Sequence, residues 1–114
     1  MKKTARSAAL CLTLLMAGCA SQPKTLYYWG DYSASVDAYI MNEGGDVDQQ
    51  IALLEQTEVK AKTGNAKTPP GFYAQLGLLM VNKGDLDKAR VAFESEKEHF
   101  PESATYMDFL LKNL

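Results

Sequence analysis

Pro70-Gly-Phe-Tyr73-Ala-Gln-Leu76-Gly77-Leu-Leu-Met80-Val-Asn-Lys-Gly84-Asp85-Leu-Asp-Lys-Ala89-Arg-Val-Ala-Phe93-Glu-Ser-Glu-Lys-Glu-His99-Phe-Pro101 carries the densest position-specific pattern in the 114-residue chain. Tyr73, Leu76, Gly77 and Met80 recur at i, i+3, i+4 and i+7, which places them on one stripe of a helix. Leu86, Ala89, Arg90 and Phe93 trace a similar period and predict a second helix. Asn82-Lys83-Gly84-Asp85 is the turn between them, with Gly84 free to take a positive φ past the first helix and Asp85 able to cap the second. Gly77 and Ala89 are small enough to let the two backbones approach, with Tyr73 and Phe93 filling the space on either side. Pro101 ends the second helix, because the residue before a proline avoids the α region.

Counted from Pro70 in a frame of about 34 residues, these side chains fall at the offsets of one tetratricopeptide repeat, which the stretch resembles. The resemblance implies an all-α fold, a short tetratricopeptide-like stack of helical hairpins with about five helices in all. It also implies a concave groove lined by the first helices, here by Gly71, Ala74, Leu78, Val81 and Asn82. These are small, apolar or uncharged, unlike the Lys and Asn pattern of repeats that clamp a C-terminal carboxylate. They suit a helix or apolar segment of a partner.

Upstream, Val47 to about Thr63 reads as a helix with Ile51, Leu54 and Val59 roughly on one face and Asp46 as its cap. A shorter helix through Val36, Tyr39 and Ile40 to about Asn42, capped by Ser33 or Ser35, is predicted before the Glu43-Gly44-Gly45-Asp46 turn. This pair is a repeat-like hairpin without the signature residues. Thr63 to Pro70 forms the loop between pairs, with Pro70 at or near the first turn of the next helix. A terminal helix, Ala104 to Leu111, offers Tyr106, Phe109, Leu110 and Leu114 to cover the end of the stack. Leu26-Tyr27-Tyr28-Trp29-Gly30-Asp31-Tyr32 packs four aromatics into the six residues from Tyr27 to Tyr32. Such density reads first as core; the other reading is an aromatic recognition surface through Tyr28, Trp29 and Tyr32.

The N-terminus has a different character. Lys2, Lys3 and Arg6 precede an apolar run, Ala8 to Ala17, that is too short to span a bilayer. Met16-Ala17-Gly18-Cys19 follows, and small residues before a cysteine resemble the lipobox of bacterial lipoproteins. Met16 stands where that motif usually has Leu. The resemblance implies a signal peptide over residues 1–18, lipid on Cys19, a tether over 19–25 and the helical domain over 26–114. Cys11 leaves with the signal, so Cys19 has no intramolecular partner. Ala20 and Ser21 lack the Asp of an inner-membrane retention signal, which favours the periplasmic face of the outer membrane.

Removal of residues 1–18 takes away three of twelve basic residues and none of the fourteen acidic ones, leaving a net charge near −5. That argues against nucleic acid as a partner and against an electrostatic grip on anionic headgroups. No catalytic constellation, metal set or cofactor motif is found. His99, the sole histidine, stands in the charged helix end Glu94–Phe100 and reads as solvated. Asp85 and Asp87 begin like a calcium loop but lack its later ligands.

The chain as a whole resembles a family of small proteobacterial outer-membrane lipoproteins of unknown function. Tyr27-Tyr-Trp-Gly-Asp-Tyr-Ser33, Pro69-Pro-Gly-Phe-Tyr-Ala-Gln-Leu-Gly77 and Glu98-His-Phe-Pro-Glu-Ser103 carry that resemblance. Members of such a family are often encoded beside other lipoproteins, including one similar to the curli-secretion channel protein. The expectation is a non-enzymatic accessory of an envelope assembly, working through protein–protein contacts with envelope lipoproteins or secretion proteins. The competing class is a small envelope hydrolase or a metal-binding protein.

Overall fold

The computed structural model describes residues 25–41 and 45–114. The expected signal peptide, Cys19, most of the expected tether and residues 42–44, where a turn is expected, lie outside the described residues. The remainder is helical: α1 (Tyr32–Ile40), α2 (Val47–Thr63), α3 (Phe72–Lys83), α4 (Leu86–His99), a 3-10 turn (Pro101–Ser103) and α5 (Ala104–Lys112). The expected all-α class and the five helices are observed. Among the described residues there is no strand, only a single bridge between Tyr27 and Lys67.

The central unit is the α3–α4 hairpin, whose helices make the most extensive contact among the described residues. Its turn forms as the residues dictate. Gly84 takes φ 85°, and the Gly84 and Asp85 amides donate to the carbonyls of Val81 and Met80, both at 2.9 Å, closing the end of α3. Asp85 then accepts the Lys88 amide at 3.2 Å and starts α4. Asp46 starts α2 in the same manner, accepting from Asp48 at 3.0 Å. Gly77 is the tight point of the hairpin. A Cβ there would collide with the ring of Phe93, so the aromatic fills the glycine notch itself rather than flanking it.

α2 packs on α3, α5 packs on α4, and α1 rests more thinly on α2 and α3. The core gathers Ile51, Leu54, Phe72, Tyr73, Leu76, Leu79, Met80, Ala89, Ala92, Phe93 and Met107. Phe72, Phe93, Leu54, Leu79 and Met107 are fully buried, and removing such a side chain from water is worth about 1.5–3 kcal/mol apiece. Two exposed ion pairs bridge elements at their edges, Lys83 to Asp48 and Lys97 to Asp108, both at 2.5 Å. In solvent such pairs fix register more than they stabilise.

Several expected positions are corrected. Leu86 and Arg90 face solvent, and the inner stripe of α4 runs through Ala89, Ala92, Phe93 and Glu96. In α2 the inner stripe is Ile51, Leu54, Thr57 and Ala61, and Val59 is outside. Neither Ser33 nor Ser35 caps α1, which starts after Asp31 without a side-chain cap; Ser35 is instead its one buried residue. Pro70 precedes the start of α3, where Gly71 is the cap residue. Met107, with Leu110, Leu111 and Leu114, covers the end of the stack, whereas Tyr106 and Phe109 point outward. A nine-residue helix has only one narrow inner face, and the 3-10 turn sets which residues occupy it.

The Gly77 notch gives a direct test. Gly77→Ala pushes a methyl into the Phe93 ring and should lower stability by about 1–3 kcal/mol, read as a fall in Tm, whereas Arg90→Ala on the solvent side of α4 should leave Tm nearly unchanged.

Candidate interaction surface

The predicted groove residues do not form one open surface. Ala74, Leu78 and Val81 are half-buried and lean on the core, while Asn82 is exposed. Asn82 lines a cavity of about 460 Å³ between α1, α2 and the far end of α3, together with Ala38, Tyr39, Gly45, Val47, Gln50 and Leu79. Gly71 has a different role again, as the positive-φ cap of α3. Within the stack, the Gln75 amide donates to the hydroxyl and the carbonyl of Ser35 at 3.2 and 3.3 Å, tying α1 to α3 through a buried polar contact. A smaller cavity of about 180 Å³ opens between α1 and α2 beside Ala34 and Leu53. α1 is thus fastened at Ser35 and splayed toward Tyr39.

On the other side a shallow cleft of about 260 Å³ separates α2 from α4. Tyr73, Leu76 and Met80 form its floor, Val91 and Ala92 one wall, and Glu58 and Lys88 stand at its rim. The Tyr73–Leu76–Met80 stripe is buried, as expected, and also underlies this cleft.

The aromatic segment is neither all core nor all surface. Its backbone pairs with the α2–α3 loop: the Tyr28 amide donates to Lys67 at 2.8 Å and the Lys67 amide to Leu26 at 3.2 Å. Gly30 packs so closely on Thr57 that a side chain would overlap it. Tyr32 is half-buried, its ring 6.1 Å from that of Phe72. Tyr27 is half-buried with its ring 6.3 Å from Phe100. Tyr28 and Trp29 remain 36% and 48% exposed.

Beneath this segment lies a polar network the local sequence pattern did not disclose. Glu96, within the charged helix end Glu94–Phe100, is 2% exposed. Its carboxylate accepts the amides of Gly71 at 2.7 Å and Tyr73 at 3.2 Å, and so caps the N-terminus of α3 from a different helix. The available signal was that Ala89, Phe93 and Glu96 lie at i, i+4 and i+7, which places the carboxylate on the apolar stripe. The Tyr73 hydroxyl donates to Glu58 at 2.9 Å, and Glu58 also pairs with Lys62 at 2.7 Å. Burial, then the hydrogen bond and charge of Glu58, push the Tyr73 phenol up to about 12. Burial and the nearby charge of Glu96 raise Tyr32 as well. His99 is exposed, donates through Nδ1 to the Ser95 carbonyl at 2.8 Å and lies with its ring 5.0 Å from Tyr73. Among the described residues no three His, Cys, Asp or Glu side chains gather as metal ligands.

Two outcomes follow from this network. Glu96→Gln keeps one acceptor but loses the charge at the helix end, and should cost about 1–3 kcal/mol in denaturant unfolding. The raised phenol of Tyr73 favours the neutral form in the folded state. Its stabilising contribution is therefore whole below the ordinary tyrosine value of 10.0 and is lost as pH rises toward about 12. Phenolate absorbance should show a step near pH 12 that disappears in Tyr73→Phe.

No curated protein and no solved structure matches the chain. Among the described residues, no helix is long and apolar enough to cross a membrane. A family model described as "Domain of unknown function (DUF4810)" matches residues 26–110, the span from the aromatic segment into α5. The chain belongs to the DUF4810 family.

Proposed function

We propose that this protein is a non-enzymatic outer-membrane lipoprotein, fixed by lipid on Cys19, whose tetratricopeptide-like stack holds a partner protein in the cell envelope. The observation that carries the reading is the opening between α1 and α3. The cavity there is bounded by Tyr39, Val47, Leu79 and Asn82, so of the expected groove residues Asn82 alone lines it, while Ala74, Leu78 and Val81 pack against the core. A mostly polar opening, with Asn82 and Gln50 on its walls and Val47 and Leu79 behind them, suits a short helical or extended segment that supplies hydrogen-bonding groups as well as apolar side chains. The small residues before Cys19 and the acidic balance of the domain support a lipid anchor rather than a charged one. The partner class is another envelope lipoprotein or a secretion or assembly protein.

The anchor is tested by Cys19→Ser. That change should abolish palmitate labelling and move the protein out of outer-membrane fractions; continued acylation of the variant contradicts the reading. For the groove, Leu78 and Val81 lean on the core and are poor sites for charge. Tyr39→Glu with Asn82→Lys, both at exposed positions, should reduce capture of envelope partners at least tenfold while the melting curve and membrane fractionation stay unchanged. Undiminished capture by this folded variant rejects the groove. Hydrolase turnover by the purified wild-type protein would instead favour the enzymatic class.

A further inference from the structure

We infer that Leu26, Tyr28 and Trp29 form a ledge that rests in the interface of the bilayer carrying the protein's own lipid anchor. The inference depends on the lipid anchor proposed for Cys19 and adds an orientation to it. Three observations support it. Leu26, Tyr28 and Trp29 are 58%, 36% and 48% exposed, a run of large apolar and amphipathic side chains just ahead of α1. Only Ala20–Thr25 separates Leu26 from Cys19, and an extended tether of that length spans at most roughly 25 Å. The ledge therefore cannot travel far from the headgroups to which Cys19 would be bound.

The backbone of the ledge is also prepared for a partly dry environment. Its amide at Tyr28 and its carbonyl at Leu26 are already paired with Lys67, at 2.8 and 3.2 Å. Apolar side chains can enter the interface there without stranding those backbone groups. Trp and Tyr are the residues that settle at this depth, with the ring among acyl chains and the polar edge among headgroups. The acidic balance of residues 19–114 is repelled by an anionic leaflet, so the contact is made by these side chains and not by general charge attraction. The same segment is fixed to the fold, through Gly30 against Thr57 and the Tyr27 ring beside Phe100. Its contact with the bilayer would hold the whole helical stack at a defined tilt, instead of letting it swing on the tether.

Trp29 is the only tryptophan in the chain and reports on its own position. The acylated full-length protein is reconstituted into vesicles of phosphatidylethanolamine and phosphatidylglycerol and floated on a density gradient. Trp29 emission is then compared with that of the soluble Cys19→Ser protein. The expected result is a blue-shifted emission, quenched by lipids brominated at shallow acyl positions and protected from aqueous acrylamide. In Leu26→Asp the protein should still float, but shallow quenching should fall at least twofold. Flotation with unshifted, unquenched Trp29 overturns the ledge and leaves the anchor standing. Absence of an acyl mass on Cys19 overturns both. Trp29 untouched by lipid quenchers but shielded in complexes with an envelope protein also overturns the bilayer as occupant and assigns the ledge to that protein.

Discussion

The carboxylate of Glu96 is held inside the protein at 2% exposure, and a charge in that position needs its compensation within the fold. The start of α3 supplies it. The first amides of a helix have no carbonyl partner in their own segment, and two of them, on Gly71 and Tyr73, point at Glu96. This one contact explains otherwise unrelated features of the sequence. Pro69 and Pro70 lead into α3 through a turn closed by the Phe72 amide on the Pro69 carbonyl at 3.1 Å, in which Gly71 takes φ 90°. A side chain at Gly71 would overlap the hydroxyl of Tyr32. The α3–α4 hairpin is thus closed at both ends, by Gly84 and Asp85 at the turn and by Glu96 at the open end.

The aromatic segment is assembled on that closure. Tyr32 sits over Gly71 and against Phe72, and the Phe72 ring meets Tyr73 edge-on at 5.3 Å. Tyr73 in turn reaches Glu58 on α2. The start of α1, the middle of α2 and both helices of the second hairpin therefore converge on a single region. Away from it the packing thins. α1 has one buried residue, Ser35, and beyond Ala38 it borders the cavity that reaches Asn82. A stack fastened strongly at one end and loosely at the other can admit a partner segment between its first helices without disturbing the core.

What the sequence disclosed and what it hid follow from the range of the interactions involved. Gly84, Asp85 and Asp46 were legible because a turn and a cap are decided within four residues. Gly77 was legible as a close approach, although its neighbour proved to be the Phe93 ring. Val59, Leu86 and Arg90 were misplaced because alternative helical stripes differ by only about 100° per residue, and the selection between them is made by the partner helix. Tyr106 and Phe109 were expected inside on hydrophobicity alone, yet the terminal helix has room for only Met107 and the Leu side chains beside it. Glu96 and Ser35 were hidden for a different reason. Each is a polar residue on an inner face, and its partner, Gly71 or Gln75, lies 25 or 40 positions away. The proposed groove residues were dispersed for the same reason as Val59, since α1, not the period of α3, decides which of them stay open.

Amide hydrogen exchange at Gly71 and Tyr73 tests the capping by Glu96 most directly. Amides in the first turn of a helix ordinarily exchange fast, because no carbonyl of their own helix protects them. Here both should be protected to the level of the middle of α3, and replacing Glu96 with Ala should release them selectively while Leu79 and Met80 remain slow. Fast exchange of Gly71 and Tyr73 in the wild-type protein would contradict the capping of α3 by Glu96 and the assembly of the aromatic segment built on it.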